Sequence, residues 1–160
     1  LRDRDETTLK YYYLENGRKP DGIQLLERCV ETDPFAAGCL NSLSYIYAED
    51  NIELDKALGL INRALEVDPD KGAYLDTLGW VYYRKGMFIE ALKELNRADE
   101  RLEDPVIYDH MGDVYLKMGQ QDMARKYWRL SLDLDNGQPA LKAKLDELDQ
   151  GQALTSPEKN

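Results

Sequence analysis

Apolar residues along this chain recur at helical spacing, in stretches separated by short polar turns. Leu75, Leu78, Val81 and Tyr82 form one apolar stripe, and Ala91, Leu92, Leu95 and Ala98 form a second. Between them stands Arg84-Lys85-Gly86. Turns of the same kind are Glu15-Asn16-Gly17-Arg18, Glu49-Asp50-Asn51 and Lys117-Met118-Gly119. Gly in three of the four supplies the left-handed residue that ends a helix. Asp33-Pro34, Asp68-Pro69 and Asp104-Pro105 mark further boundaries, because Pro is tolerated in a first helical turn and not in an interior. No stretch reads as a strand.

The helical pairs repeat. Ser44, Gly79 and Gly112 align at intervals of 35 and 33 residues. Tyr47, Tyr82 and Tyr115 follow each by three positions, and Ala57, Ala91 and Ala124 come next. Ile61, Leu95 and Trp128, then Ala64, Ala98 and Ser131, complete the register. A fainter trace, Leu9, Tyr13, Gly22, Leu26, Cys29 and Pro34, precedes them. The period is about 34 residues, and repeats of that length mean stacked supersecondary units. Small residues recur where two helices cross closely, and large ones fill the space beside them. The units run over about 3–36, 37–71, 72–104 and 105–136. Leu141, Leu145 and Leu148 then give 138–149 a narrow apolar stripe suited to a capping helix. The polar segment 150–160, with Pro157, reads as a disordered tail.

This pattern resembles the tetratricopeptide repeat. The third unit supplies Leu75, Leu78-Gly79, Tyr82, Ala91, Leu95 and Ala98 at the positions the family's 34-residue helix–turn–helix unit requires. The fourth supplies Tyr108, Met111-Gly112, Tyr115, Ala124, Trp128 and Ser131. The second supplies Leu40, Leu43-Ser44, Tyr47, Ala57, Ile61, Ala64 and Pro69, with one extra residue in its turn. The first departs most, with Lys10 where a small residue is expected and Gly22 where Ala is. The resemblance implies an all-α fold: a right-handed superhelical solenoid of antiparallel hairpins, closed by a capping helix.

It also implies where a ligand would sit, since first helices of such units line a concave groove. Two sets of residues then face inward: Thr7, Asn41, Asp76 and Asp109, and Tyr11, Tyr45, Trp80 and Asp113, with Tyr83 one turn beyond Trp80. Aromatic rings make low-entropy anchors for a peptide. The amide and carboxylates suit a peptide backbone or Lys and Arg side chains. The competing reading is that Tyr45 and Trp80 only pack. Some family members clamp a C-terminal carboxylate with Lys, Arg and Asn, and here only Asn41 matches that set.

Charge narrows the partner. The 160 residues carry 31 acidic against 21 basic side chains, a net charge of −10. Such a surface repels phosphate backbones and anionic lipid headgroups. No apolar run approaches membrane-spanning length. The expected partner is therefore a protein or peptide, not nucleic acid, with no membrane insertion by this stretch. Pairing with a second copy through the N-terminal repeat stays open.

Catalytic chemistry finds little to work with. His110 is the single histidine. It stands between Asp109 and Asp113 and reads as a partly exposed helix residue rather than a metal ligand. No glycine-rich phosphate loop, His-Glu-x-x-His or nucleophile elbow occurs. The expectation is no enzyme, no cofactor and no metal. The leading function is a scaffold or adaptor that binds a partner segment in the groove. The alternatives are an assembly component docking through its convex face or edge, or an accessory subunit that delivers substrate to an enzyme.

Cys29 and Cys39 read from composition as two buried thiols of a reducing compartment, with a bond across the Asp33-Pro34 break as the alternative. The run Leu75-Asp76-Thr77-Leu78-Gly79-Trp80, with Asp109-His110-Met111-Gly112-Asp113, resembles the closing repeats of bacterial multi-repeat proteins, many of them envelope lipoproteins. That resemblance implies a bacterial source and slightly favours the periplasm over the cytoplasm, where a Cys29–Cys39 bond is permitted. The chain begins at Leu1 rather than Met, as a processed form or a fragment would.

Overall fold

The computed structural model describes residues 19–155. Among these there are eight helices and no strand: α1 (Lys19–Thr32), α2 (Ala37–Glu49), α3 (Leu54–Val67), α4 (Gly72–Arg84), α5 (Phe88–Asp99), α6 (Pro105–Lys117), α7 (Gln121–Leu134) and α8 (Pro139–Thr155). The chain divides into two compact units, Leu1–Leu102 and Glu103–Asn160.

In unit 1, α2 and α3 form one hairpin and α4 and α5 the next. The turns have one construction. Gly86 sits at φ 77°, and the N–H of Met87 reaches back to the Tyr82 carbonyl at 2.9 Å. This closes the end of α4 with the left-handed residue that glycine adopts most cheaply. The hairpin of α2 and α3 has no glycine there. Asn51 takes φ 55° instead, and Ile52 N–H bonds the Tyr47 carbonyl at 3.0 Å. The extra residue of that turn is absorbed by Glu53, also left-handed at φ 48°.

Close approach of paired helices explains the small residues. A methyl group at Gly79 would stand 2.7 Å from Leu95 Cγ. Ser44, at the equivalent place, is fully buried and donates its hydroxyl to the Ala57 carbonyl at 2.8 Å. Leu40, Leu43, Ile61, Leu75, Val81 and Leu95 fill the interior.

Cys29 on α1 and Cys39 on α2 are joined in a disulfide, with Cα atoms 6.3 Å apart. This corrects the expectation of two reduced thiols. The Asp33-Pro34 break turns the chain so that the two helices meet where the cysteines lie, a proximity that composition does not reveal.

Unit 2 repeats the plan. Asp104 caps α6 by accepting a hydrogen bond from Val106 N–H at 2.8 Å, with Pro105 in the first turn. Gly119 at φ 75° ends α6, and Gln120 N–H bonds the Tyr115 carbonyl at 2.9 Å. The indole of Trp128 fills the hollow over Gly112. Helix α8 packs on α7 through Leu141 and Leu145, which join Trp128 and Ala124 in one core. It runs to Thr155. The helix thus continues past 149, where the apolar stripe of Leu141, Leu145 and Leu148 ends. No proline intervenes before Pro157, and the single Gly151 is a modest cost to a helix.

Candidate partner-binding face

Thr7 and Tyr11 lie outside the described residues. The remaining candidates fall into two groups, one in each unit.

In unit 1, Asn41 and Tyr45 stand one turn apart on α2, and Asp76, Trp80 and Tyr83 follow the same face of α4. Asn41 is half-buried, and its amide oxygen Oδ1 is buried with no hydrogen-bond partner among the described residues. Buried polar atoms are nearly always paired, so an open acceptor calls for an explanation. Tyr45 and Tyr83 are half-buried against the core of this unit. Trp80 is only 7% exposed. Its ring stacks on Tyr83 with centroids 4.6 Å apart and planes 16° from parallel. The Arg84 guanidinium lies 5.8 Å from the Trp80 ring centroid and donates through Nη2 to the Glu49 carbonyl at 3.1 Å. Trp80 thus supports the face from beneath, while Tyr45 and Tyr83 keep ring surface accessible. Asp76, at 8% exposure, is buried too. Spacing placed these residues on one side of a helix, but it carries no information on which of them their neighbours would cover.

In unit 2, Asp109 and Asp113 already hold a cation. Lys144 of α8 donates to Asp109 Oδ1 at 2.9 Å and to Asp113 Oδ1 and Oδ2 at 2.7 and 2.9 Å. Trp128 Nε1 donates to Asp113 Oδ1 at 3.2 Å and to the Asp109 carbonyl at 3.3 Å. Burial pushes the Asp113 carboxyl above the usual range, and Lys144 only partly offsets it. Burial also presses the Lys144 ammonium downward, but its two carboxylates outweigh that, and it sits above an ordinary lysine. The expectation that these acids await a partner's Lys or Arg meets an internal lysine. The signal was present in the sequence, since Lys144 lies 35 residues from Asp109, one repeat further on. His110 is 5% exposed rather than partly exposed, which corrects that expectation as well. Among the described residues no three His, Cys, Asp or Glu side chains are grouped to hold a metal, and no helix is long and apolar enough to cross a membrane.

The class defined by these elements is an all-α protein of repeated helical hairpins. Residues 106–138 match the family model of the tetratricopeptide repeat, so the resemblance read in the sequence is met in the fourth unit. Solved structures extend the likeness of fold to nearly the whole chain. A PilF structure from Pseudomonas aeruginosa is 23% identical with a TM-score of 0.73, over 95% of this chain and 71% of that one. A MamA structure is 18% identical with a TM-score of 0.67, over 91% of this chain and 85% of that one. The first tetratricopeptide repeat domain of Spaghetti (RPAP3), bound to the HSP90 peptide SRMEEVD, is 19% identical with a TM-score of 0.64, over 73% of this chain and 93% of that one. No curated protein sequence matches the chain.

Proposed function

We propose that this chain is a protein-interaction scaffold without catalysis of its own, taking a segment of a partner protein on the α2–α4 face of unit 1. The observation that carries the reading is the buried Asn41 Oδ1, without a hydrogen-bond partner among the described residues, one turn from the half-exposed Tyr45. Rotation of the half-exposed Asn41 side chain would bring that acceptor to a backbone N–H of a bound segment, and Tyr45 and Tyr83 offer ring surface to the same segment. The fold supports the reading, since a structure of the same fold holds a peptide. The net charge of −10 supports a protein ligand over nucleic acid. The Cys29–Cys39 bond supports an oxidising compartment such as the bacterial periplasm.

The test is selection of random dodecapeptides on the wild-type protein, followed by titration of the selected peptide into variants. Asn41→Leu and Tyr83→Ala are expected to weaken binding about tenfold, the worth of one unmade hydrogen bond or one lost anchor. Trp80→Ala is unsuitable, because it would open a cavity under the face. Unchanged affinity in both variants sinks the proposal.

A further inference from the structure

The asparagines among the described residues are Asn41, Asn51, Asn62, Asn96 and Asn136. Asn41, Asn62 and Asn96 lie inside α2, α3 and α5, where the N–H of the next residue belongs to the helix hydrogen-bond ladder. Asn51 stands in a turn, and the N–H of Ile52 after it is held by the Tyr47 carbonyl at 3.0 Å. Asn136 differs from all of these. It is exposed, it lies in the non-helical link between α7 and α8, and glycine follows it. The N–H of that glycine goes to a carboxylate: Gly137 donates to Asp135 Oδ1 at 2.9 Å.

This link brings together the groups that one reaction needs. Asn136 Cγ is an electrophilic carbonyl carbon. The adjoining Gly137 nitrogen can close a five-membered ring on it. The Asp135 carboxylate is a base that already holds the nucleophile's proton. A candidate base must lie within hydrogen-bond reach of the proton it takes, and 2.9 Å meets that requirement. The bond to Asp135 runs along N–H, so the faces of the nitrogen, from which the ring closes, stay clear of the base. No cation pairs with the Asp135 carboxylate among the described residues. Glycine at 137 contributes twice. It puts no side chain beside the forming ring, and a Cβ there would stand 3.1 Å from the same Asp135 oxygen.

We propose that Asn136 is a self-modifying site, deamidated through a succinimide with Asp135 as the base. The Gly137 nitrogen bonds to Asn136 Cγ as Asp135 takes its proton. The Cγ–Nδ2 bond breaks, and Nδ2 leaves as ammonia with the proton that Asp135 returns. Water then opens the ring at either carbonyl and leaves aspartate or isoaspartate at 136. Both products add a negative charge to a run that already holds Asp133 and Asp135. Isoaspartate also lengthens the main chain by a methylene between Asp135 and Gln138. Gln138 fastens this link: its Nε2 donates to the Asp135 carbonyl at 2.8 Å and to Ser131 Oγ at 3.1 Å. A longer main chain displaces that amide, and α8, which begins at Pro139, loses a tie to α7. The site is built within unit 2 and is independent of the α2–α4 face.

The test is ageing of the folded protein near neutral pH, followed by tryptic mapping. Trypsin releases 130–142, bounded by Arg129 and Lys142, which separates Asn136 from every other asparagine. Asn136 should convert to a mixture of isoaspartate and aspartate ahead of the other described asparagines, and at least as fast as in the free 130–142 peptide. Gly137→Ala should slow conversion about tenfold. Asp135→Ser keeps an acceptor for the Gly137 N–H but removes the base, and should slow it several-fold. Asp135→Ala is the second variant without the base, with helicity of both checked by circular dichroism. From about pH 6 to pH 8 the rate in these variants should rise about tenfold per pH unit, because hydroxide then takes the proton, and in wild type it should rise less steeply. An intact Asn136 in the folded protein after the free peptide has converted overturns the proposal. So do equal rates and parallel pH profiles in wild type and both Asp135 variants.

Discussion

Replacing Gly112 by Ala should unfold unit 2 far more readily than a single methyl group suggests. The added carbon would stand 2.9 Å from Trp128 Cγ and closer still to Cδ1 and Nε1. The obstacle is a rigid ring, only 1% exposed, and not the movable end of a side chain. Relief requires the indole to shift, which strains both its hydrogen bonds, to the Asp109 carbonyl and Asp113 Oδ1. Overpacking of this kind costs about 2–3 kcal/mol. Two weakened hydrogen bonds add about 1–2 kcal/mol. The better helix propensity of alanine returns about 1 kcal/mol. The net is a loss of about 3 kcal/mol, or about 6–12 °C in melting temperature for a chain of this size. Unit 2 reports on itself, because the chain's two tryptophans are divided between the units, Trp80 in unit 1 and Trp128 in unit 2. Urea denaturation followed by Trp128 fluorescence, in a Trp80→Phe background, measures the change. A Gly112→Ala protein as stable as its parent would refute the packing argument.

The same substitution at Gly59 should act in the opposite direction, raising stability by about 0.5–1 kcal/mol, because the added methyl meets open space; a loss in the same denaturation assay would show a contact there. Reduction of Cys29–Cys39 opens a loop of 10 residues and should destabilise unit 1 by about 2–3 kcal/mol, read from Trp80 fluorescence on melting with and without reductant. Two freely reacting thiols in the native protein would count against the bond itself. Lys144→Met should cost about 1–2 kcal/mol, discounted for an ammonium about one-third exposed, since it leaves Asp113 buried beside Asp109 without its cation. The folded-state pKa of Lys144 is raised, so its contribution is fully present below about pH 10.5 and is lost as pH rises through the folded value. Urea midpoints from about pH 9 to pH 11.5 should therefore fall more steeply in wild type than in Lys144→Met, and parallel profiles would contradict the ion pair.

The hairpins were legible because their causes are local. Turn residues such as Gly86 and Gly119, the Asp104-Pro105 cap, and the pairing of Gly112 with Trp128 are each written within one repeat. Asn51 shows the limit: its left-handed turn replaces a glycine, and the register alone located it. The site was legible only as a set of directions. The periodicity that set Asn41 and Tyr45 on one face of α2, and Asp76 and Trp80 on one face of α4, does not say that Tyr83 and Arg84 cover Trp80, or that Lys144 closes on Asp109 and Asp113. Those are contacts between elements, fixed by packing. The Cys29–Cys39 bond belongs to the same kind, since it depends on how α1 returns against α2.

The most direct test of the scaffold reading is a two-dimensional amide spectrum of the labelled protein during titration with the dodecapeptide selected on it. Binding on the α2–α4 face should shift the side-chain amide of Asn41 together with the backbone amides of Tyr45 and Tyr83, in proportion to one another and to saturation. Shifts confined to residues outside α2 and α4, with the Asn41 amide unmoved at saturating peptide, would contradict it.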